Sequence, residues 1–142
     1  MKFVIATLIL LAACGGNGET GAESQPSPSP TTQKLYGTMT LVTGGQSLRR
    51  SGDDCEGKGG YDDLQEGTQV RILSEDGDLV ATTAFDLGEI VTDPFGCRWN
   101  FEVEVPNDLD FYSVEASHRG GISYSRSELE DENWIVHLSI GE

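Results

Sequence analysis

The chain has 142 residues, of which 37% are hydrophobic and 8% aromatic, and it contains 18 glycines. This composition supports one hydrophobic core, so it excludes a fully disordered chain, and the length favours one small domain over a two-domain enzyme. Nine Lys and Arg against 24 Asp and Glu give a net charge of −15, which repels phosphate backbones and excludes nucleic acid as a partner.

Residues 1–13 are predicted to be a lipoprotein signal peptide. Lys2 precedes the apolar run Phe3–Ala13, which as a helix of about 16 Å is too short to span a hydrocarbon core of about 30 Å. The sequence Leu11-Ala12-Ala13-Cys14 resembles the lipobox of bacterial lipoproteins. The resemblance implies that Cys14 is lipidated, becomes the mature N-terminus and anchors the chain outside the cytoplasmic membrane. An ordinary signal peptide is the alternative. The sequence does not decide whether the anchor lies in an inner or an outer membrane.

A flexible linker is predicted from residue 14 to residue 34. This stretch is rich in Gly, Ser, Thr and Pro, with Gln25–Pro30 at its centre, and it has no apolar periodicity. Prolines favour polyproline II and glycines favour a coil, so the linker separates the following residues from the bilayer. The folded domain is predicted over residues 35–142.

Strands are predicted throughout this domain because apolar and polar residues alternate with period two. The clearest case is Cys97–Val105, whose odd-numbered residues are apolar and whose even-numbered residues are polar. Asp76-Gly77 predicts a hairpin turn, and the best helical window is residues 125–131. The predicted strands are Leu35–Val42, Gln69–Leu73, Leu79–Phe85, Cys97–Val105, Tyr112–Ala116 and Trp134–Ile140, with a seventh around Gly121–Tyr124.

Six or seven short antiparallel strands predict an all-β fold, a small β-sandwich of the Greek-key type. Two packed sheets are expected because a single sheet would leave its apolar face in water. Cys55 and Cys97 are the cysteines that remain beside Cys14. An oxidising compartment and an even count predict a disulfide between them, and two reduced thiols or one reactive cysteine are the alternatives.

Two resemblances concern the fold. The segment Asn107–Val114, with Leu109 three residues before Tyr112, resembles the tyrosine corner of immunoglobulin-like and fibronectin type III domains. In such a corner the Tyr hydroxyl binds a backbone group at a turn. The order of Gly37, a hairpin, a long alternating strand and Tyr112 is similar to that of prealbumin-like domains of the carboxypeptidase-regulatory type.

A third resemblance covers most of residues 55–141. The segments Cys55–Leu64 and Tyr112–Gly120 resemble small membrane-anchored extracytoplasmic domains that are common in actinobacteria. The resemblance implies the sandwich fold, the pairing of Cys55 with Cys97 and the extracytoplasmic location, and it implies no activity.

Candidate metal ligands are few. Asp62 and Asp63 are the first candidates for calcium, which prefers carboxylate oxygens, because they follow a Gly-rich loop. No stretch matches the twelve-residue calcium loop, and solvated acids that keep the protein soluble are the alternative. His118 and His137 have no second His or Cys at zinc-ligand spacing. The sequence therefore predicts no metal site and no cofactor.

A partner-binding segment is predicted at His118 and Arg119, followed by Tyr124 and Arg126, because it is locally basic and aromatic in an acidic domain. The alternative is that Arg119 forms a salt bridge with one of the domain's own acids. No hydrolase, zinc-protease or phosphate-loop motif occurs, so no enzyme is expected.

The expected function is that of a monomeric, non-enzymatic binding or accessory module, anchored to the membrane through Cys14, whose loops contact an envelope protein or glycan. The alternatives are an extracytoplasmic hydrolase or metal-dependent enzyme with a site assembled from distant residues, and a structural envelope lipoprotein.

Overall fold

Two β-sheets face each other in the computed structural model, which describes residues 31–141. The predicted signal peptide, Cys14 and the linker up to residue 30 lie outside the described residues. The strands are β1 Thr32–Val42, β2 Leu48–Ser51, β3 Asp54–Gly57, β4 Gln69–Leu73, β5 Leu79–Ala84, β6 Glu89–Thr92, β7 Phe95–Pro106, β8 Phe111–Ala116, β9 Gly121–Ser125 and β10 Ile135–Gly141. One helix, α1 Arg126–Asp131, and a 3-10 turn, Gly59–Tyr61, complete the described elements.

The first sheet has six strands in the order β10-β1-β7-β6-β3-β2, and the second has four in the order β5-β4-β8-β9. This architecture confirms the predicted all-β sandwich. The predicted hairpin is confirmed as β4 and β5, with Gly77 in the turn at a φ of 84°. No helix of residues 31–141 is long and apolar enough to cross a membrane.

The core lies between the sheets and follows the predicted alternation. In β7 the odd-numbered residues from Cys97 to Val105 are buried, and the even-numbered residues face outward. Tyr112 and Val114 of β8 and Val136 of β10 are also buried, as the pattern predicts. The Phe85 ring, directly after β5, lies 5.8 Å from the Trp99 ring of β7, so aromatic stacking connects the two sheets.

The prediction of six or seven strands was too low. The strands that it missed, β2, β3 and β6, have four residues each and bury at most two of them, so these segments are too short for an alternating pattern to identify them. The prediction of purely antiparallel pairing was also wrong, because β10 pairs with β1 in parallel. Pairing direction depends on where the chain returns, and residue patterns do not encode it.

The first strand begins earlier than expected. β1 starts at Thr32, so residues 32–34, which the sequence assigns to the linker, pair with the end of β7. These residues are polar and mostly exposed, and their contribution is backbone hydrogen bonding, which leaves no hydrophobic signal.

The Asp53–Leu64 region is held by a covalent bond. Cys55 of β3 and Cys97 of β7 form a disulfide with a Cα–Cα distance of 5.9 Å, which confirms the predicted pairing. β3 is joined to β6 by a single paired position, Asp54 with Glu89. The disulfide therefore fixes the β2–β3 hairpin at the edge of the six-stranded sheet.

Candidate functional site

The predicted binding residue Arg119 is engaged within the domain. Its Nε donates to Asp63 Oδ2 at 2.9 Å, and its Nη2 donates to Asp63 Oδ1 and, at 2.7 Å, to the Gly60 carbonyl oxygen. The guanidinium also lies 4.9 Å from the centre of the Tyr61 ring. Arg119 therefore forms a salt bridge with one of the domain's own acids, which is the alternative that the sequence left open. This salt bridge connects the β8–β9 turn to the loop before β4.

The two calcium candidates both face arginines. The Arg119 guanidinium hydrogen-bonds to Asp63 and lowers the pKa of that carboxyl. Asp62 pairs with Arg49. Among residues 31–141 no group of three or more His, Cys, Asp or Glu side chains is positioned to hold a metal ion. The carboxylates that the sequence singled out thus balance cations of the same chain.

The four predicted partner-binding residues do not form one site. His118, which is exposed, and Arg119 lie in the turn before β9, whereas Tyr124 and Arg126 lie at the other end of that strand. Arg126 donates to Asp110 and to the Asn107 carbonyl oxygen, both at 3.3 Å. Tyr124 packs against the core, and burial raises the pKa of its hydroxyl. The length of β9 separates the two pairs by about 17 Å.

An open cavity lies on the outer face of the six-stranded sheet, and we call it the outer trough. Its volume is about 310 Å³. It is defined by Thr38, Thr40, Val42, Pro94, Arg98, His137, Leu138 and Ser139. The parallel pairing of β10 with β1 creates it, because that pairing places His137 beside Thr38 and Ser139 beside Thr40.

Hydrogen bonding orders one side of the outer trough. Thr38 Oγ1 and His137 Nδ1 are 3.0 Å apart, which fixes the orientation of the imidazole ring. Tyr36 lies on the same face of β1, two residues before Thr38, and 43% of its surface is exposed. Hydroxyl groups, an imidazole and an aromatic ring are thus adjacent on a rigid sheet.

Arg98 differs from the other described cations because it is partly buried and forms no ion pair. Among residues 31–141 five cationic side chains form ion pairs, namely Lys34, Arg49, Arg71, Arg119 and Arg126.

The remaining described cations are Arg50, Lys58 and Arg98. Arg50 and Lys58 are exposed, whereas Arg98 is partly buried. Glu89 lies directly opposite Arg98 on β6, yet the two form no ion pair. Arg98 instead lines the outer trough beside Thr40, its neighbour on β1.

The outer trough has no signal in the sequence. Alternation in Cys97–Val105 predicts that Arg98 faces outward, and alternation in the last strand predicts the same for His137. The parallel pairing of β10 with β1 brings them to one surface, and that pairing has no local sequence signal.

A second exposed feature is the apolar patch, which we define as Leu73, Leu79 and Phe111. Leu79 is 54% exposed and Phe111 is 50% exposed. Leu79 pairs with Leu73 on the outer side of the four-stranded sheet. Glu75, Asp76 and Asp78 are in the turn that joins their strands, so acidic side chains border the patch.

Comparison with known protein families, curated proteins and solved structures finds no match to the chain. The resemblances of the sequence to lipoproteins and to extracytoplasmic domains therefore stay predictions.

Proposed function

We propose that the protein is a lipid-anchored, extracytoplasmic binding module without catalytic activity, and that its outer trough binds a glycan of the cell envelope. The observation that supports this proposal best is the outer trough itself, in which hydroxyls, an imidazole and a guanidinium line a cavity of about 310 Å³ together with the apolar residues Val42, Pro94 and Leu138. Small-molecule sites begin at about 300 Å³, so the cavity suits a single saccharide unit.

The chemistry of the lining fits a polyhydroxylated ligand. Thr38 and Ser139 hydroxyls can donate and accept hydrogen bonds, whereas the Arg98 guanidinium only donates. Tyr36 offers an exposed ring beside them, on which the apolar face of a pyranose can lie. These groups come from adjacent strands and not from loops, so little conformational entropy is lost when a ligand binds.

The position of the trough suits a tethered domain. The Thr31 carbonyl oxygen accepts from the Asn107 amide, so the linker enters at the end of the sandwich where β7 turns into β8. We call this the entry end. Val42, Pro94 and Ser139 lie toward the opposite end of β1, β7 and β10. A membrane anchor on the linker would therefore attach at the end of the sandwich that is farther from these three residues.

The anchor is tested separately from the binding. In a bacterial host that processes lipoproteins, the protein should incorporate labelled palmitate and remain in the membrane fraction. A Cys14→Ala variant should lose both properties. A wild-type chain that carries no label and stays in the cytoplasm would contradict the proposed location.

Binding is tested by sedimentation with purified, protein-free cell-wall glycan. The detergent-solubilised full chain should sediment with the glycan, and Ser139→Trp, which fills the trough, should abolish this. Ser123→Trp is the matched control, because Ser123 is an exposed residue on the edge strand of the other sheet. The proposal is wrong if wild-type protein stays in the supernatant, or if Phe111→Ser in the apolar patch abolishes sedimentation and Ser139→Trp does not.

A further inference from the structure

We propose that the outer trough selects a saccharide that carries a carboxylate, and that Arg98 is the residue that binds the carboxylate. This inference rests on the proposed function, since it names the class of glycan that the same site takes. It starts from the environment of Arg98, a cation without an ion-pair partner among the described residues of an acidic protein.

Arg98 differs from most of the described cations, which have a carboxylate as their ion-pair partner. Five other cations of the described residues have such partners. Arg98 lies opposite Glu89 and makes no ion pair with it, so its donors are free to bind a ligand in the trough.

The hydroxyl groups beside Arg98 can bind the ring hydroxyls of a sugar whose carboxylate binds the guanidinium. Thr40 lies directly across from Arg98 on β1, and Ser139 lies across from Thr40 on β10. Arg98, Thr40 and Ser139 thus form one row across three strands, with a guanidinium at one end and hydroxyls beyond it. A guanidinium binds a carboxylate through two parallel hydrogen bonds, and the hydroxyls are then next to the ring hydroxyls of the same sugar.

The charge of the surroundings favours a carboxylate over a phosphate as the group that binds Arg98. The chain has a net charge of −15, and Glu89 is a cross-strand neighbour of Arg98. A doubly charged phosphate would experience this repulsion more strongly than a carboxylate would, and Arg98 offers one positive charge. A peptide C-terminus has the same carboxylate but lacks the ring hydroxyls that the row of Thr40 and Ser139 can bind.

The experiment measures ligand binding to the detergent-solubilised full chain by saturation-transfer NMR, with titration to obtain Kd. Trigalacturonate is the acidic saccharide, and a neutral trigalactose is its control. A tripeptide with a free C-terminus and its amidated form test the second source of a carboxylate. We expect trigalacturonate to bind at least tenfold more tightly than either the neutral sugar or the peptide.

Three variants assign the effect to Arg98. Arg98→Ala should weaken trigalacturonate binding at least tenfold, and Arg98→Lys, which keeps the charge but loses the planar fork, should weaken it by an intermediate factor. Lys58→Ala removes the same charge from an exposed residue outside the trough and should leave Kd unchanged. Thermal melts of all three should match the wild-type melt, and Arg98→Lys provides the test if Arg98→Ala does not fold.

The inference is overturned if trigalacturonate and the neutral sugar bind equally, if Arg98→Ala and Arg98→Lys bind as wild type does, or if the peptide binds better than trigalacturonate. These outcomes differ from a failure of the proposed function. If the chain sediments with cell-wall glycan but does not bind trigalacturonate, only the assignment to an acidic sugar is wrong. If the chain does not sediment with the glycan, both the proposed function and this inference are wrong.

Discussion

At the scale of single residues, the arginines of this acidic chain act mainly as internal connections. Arg119 joins the β8–β9 turn to Asp63 and Gly60, which are far from it in sequence. The Arg119 side chain is 21% exposed and that of Asp63 is 32% exposed. Because this pair is shielded and uses two parallel hydrogen bonds, it contributes more to stability than the exposed pairs do.

Replacing Asp63 with Asn should lower the free energy of unfolding at pH 7 by about 1–2 kcal/mol. Arg119 lowers the pKa of Asp63 in the folded state, so the contribution of the pair is complete above the unfolded value of about 3.9. It is lost as the pH falls through the lower, folded value. The difference between wild type and Asp63→Asn should therefore shrink below about pH 4, as measured by urea unfolding at several pH values.

Asp62→Asn is the matched control for this experiment. Asp62 also pairs with an arginine, but its side chain is 53% exposed and that of Arg49 is 52% exposed. The loss should be below about 0.5 kcal/mol at pH 7. Equal losses in the two variants would show that shielding of the Asp63 pair has no energetic consequence.

Tyr112 makes the hydrogen bond that the tyrosine-corner resemblance implies. Its ring is fully buried, and its hydroxyl donates to the Pro106 carbonyl oxygen at 2.5 Å across the turn between β7 and β8. Tyr112→Phe should lower the free energy of unfolding by about 1 kcal/mol, because the Pro106 carbonyl loses this donor. Denaturant unfolding provides the measurement.

Tyr124 provides the comparison, because it is the cross-strand neighbour of Tyr112 on β9. Its hydroxyl makes no hydrogen bond with residues 31–141. Tyr124→Phe should therefore change stability by less than about 0.5 kcal/mol. A loss as large as that of Tyr112→Phe would mean that the corner hydrogen bond is not the cause.

At the scale of elements, the pairing of β1 with β7 forms the centre of the six-stranded sheet. Gly37 of β1 lies directly opposite Phe101 of β7. A Cβ at Gly37 would come within 1.9 Å of the tip of the Phe101 ring. The ring thus occupies the space that a side chain at position 37 would need, and glycine is required there for steric reasons.

Gly37→Ala should lower the free energy of unfolding by about 1–3 kcal/mol, because the buried Phe101 ring cannot move without disturbing the core. The cost should be smaller in a Phe101→Leu background, where the ring is gone. Gly44→Ala, where a Cβ meets nothing within 4 Å, is the control and should be close to neutral. Thermal unfolding of the four variants and the wild type checks the prediction, and additive losses in the double variant would contradict it.

Helix α1 shows how a short element can be specified locally. The Ser125 side chain accepts from the Glu128 amide, and the Glu128 side chain accepts from the Ser125 amide, which is a complete capping box. Hydrogen bonds from the Ser125 hydroxyl and the Ser125 amide to the Glu128 carboxylate lower the pKa of that carboxyl. The predicted window of residues 125–131 agrees with the observed helix because these interactions span only three residues.

At the scale of the whole molecule, the entry end is strongly acidic. The loops and the helix at this end contain one arginine, Arg126, and nine acids, namely Glu75, Asp76, Asp78, Asp108, Asp110, Glu128, Glu130, Asp131 and Glu132. If the linker ends in a lipid, these charges lie at the end of the domain that is attached to the anchor. Repulsion from anionic headgroups would then keep the domain away from the bilayer surface.

The disulfide is the main covalent contribution to stability. Cys55 and Cys97 are 42 residues apart, and closing a loop of this length stabilises the folded state by up to about 4 kcal/mol. The bond is tightly enclosed, since a Cβ at Gly88 would lie 2.9 Å from Cys97 Sγ and 2.5 Å from Trp99 Nε1. Its removal would leave β3 attached to β6 at a single paired position.

Reduction of the disulfide should therefore lower the midpoint of guanidinium unfolding and increase hydrogen exchange most strongly in residues 48–57. A Cys55→Ala/Cys97→Ala variant should resemble the reduced protein and should not respond to reductant. Strands β1 and β7, in the middle of the sheet, should keep their protection. Uniform exchange along the chain after reduction would contradict a local attachment role for the bond.

The sequence by itself determined which side of each longer strand faces the core, the β4–β5 hairpin, the short helix and the two cysteines that pair. All of these depend on neighbours within a few residues or on residue counts. Only the tertiary structure decided the parallel pairing of β10 with β1, the edge strands β2, β3 and β6, and the acid that each arginine binds. These features join residues that are distant in the chain, and the outer trough depends on them, because Arg98 and His137 share a surface only when three strands pair in the observed register.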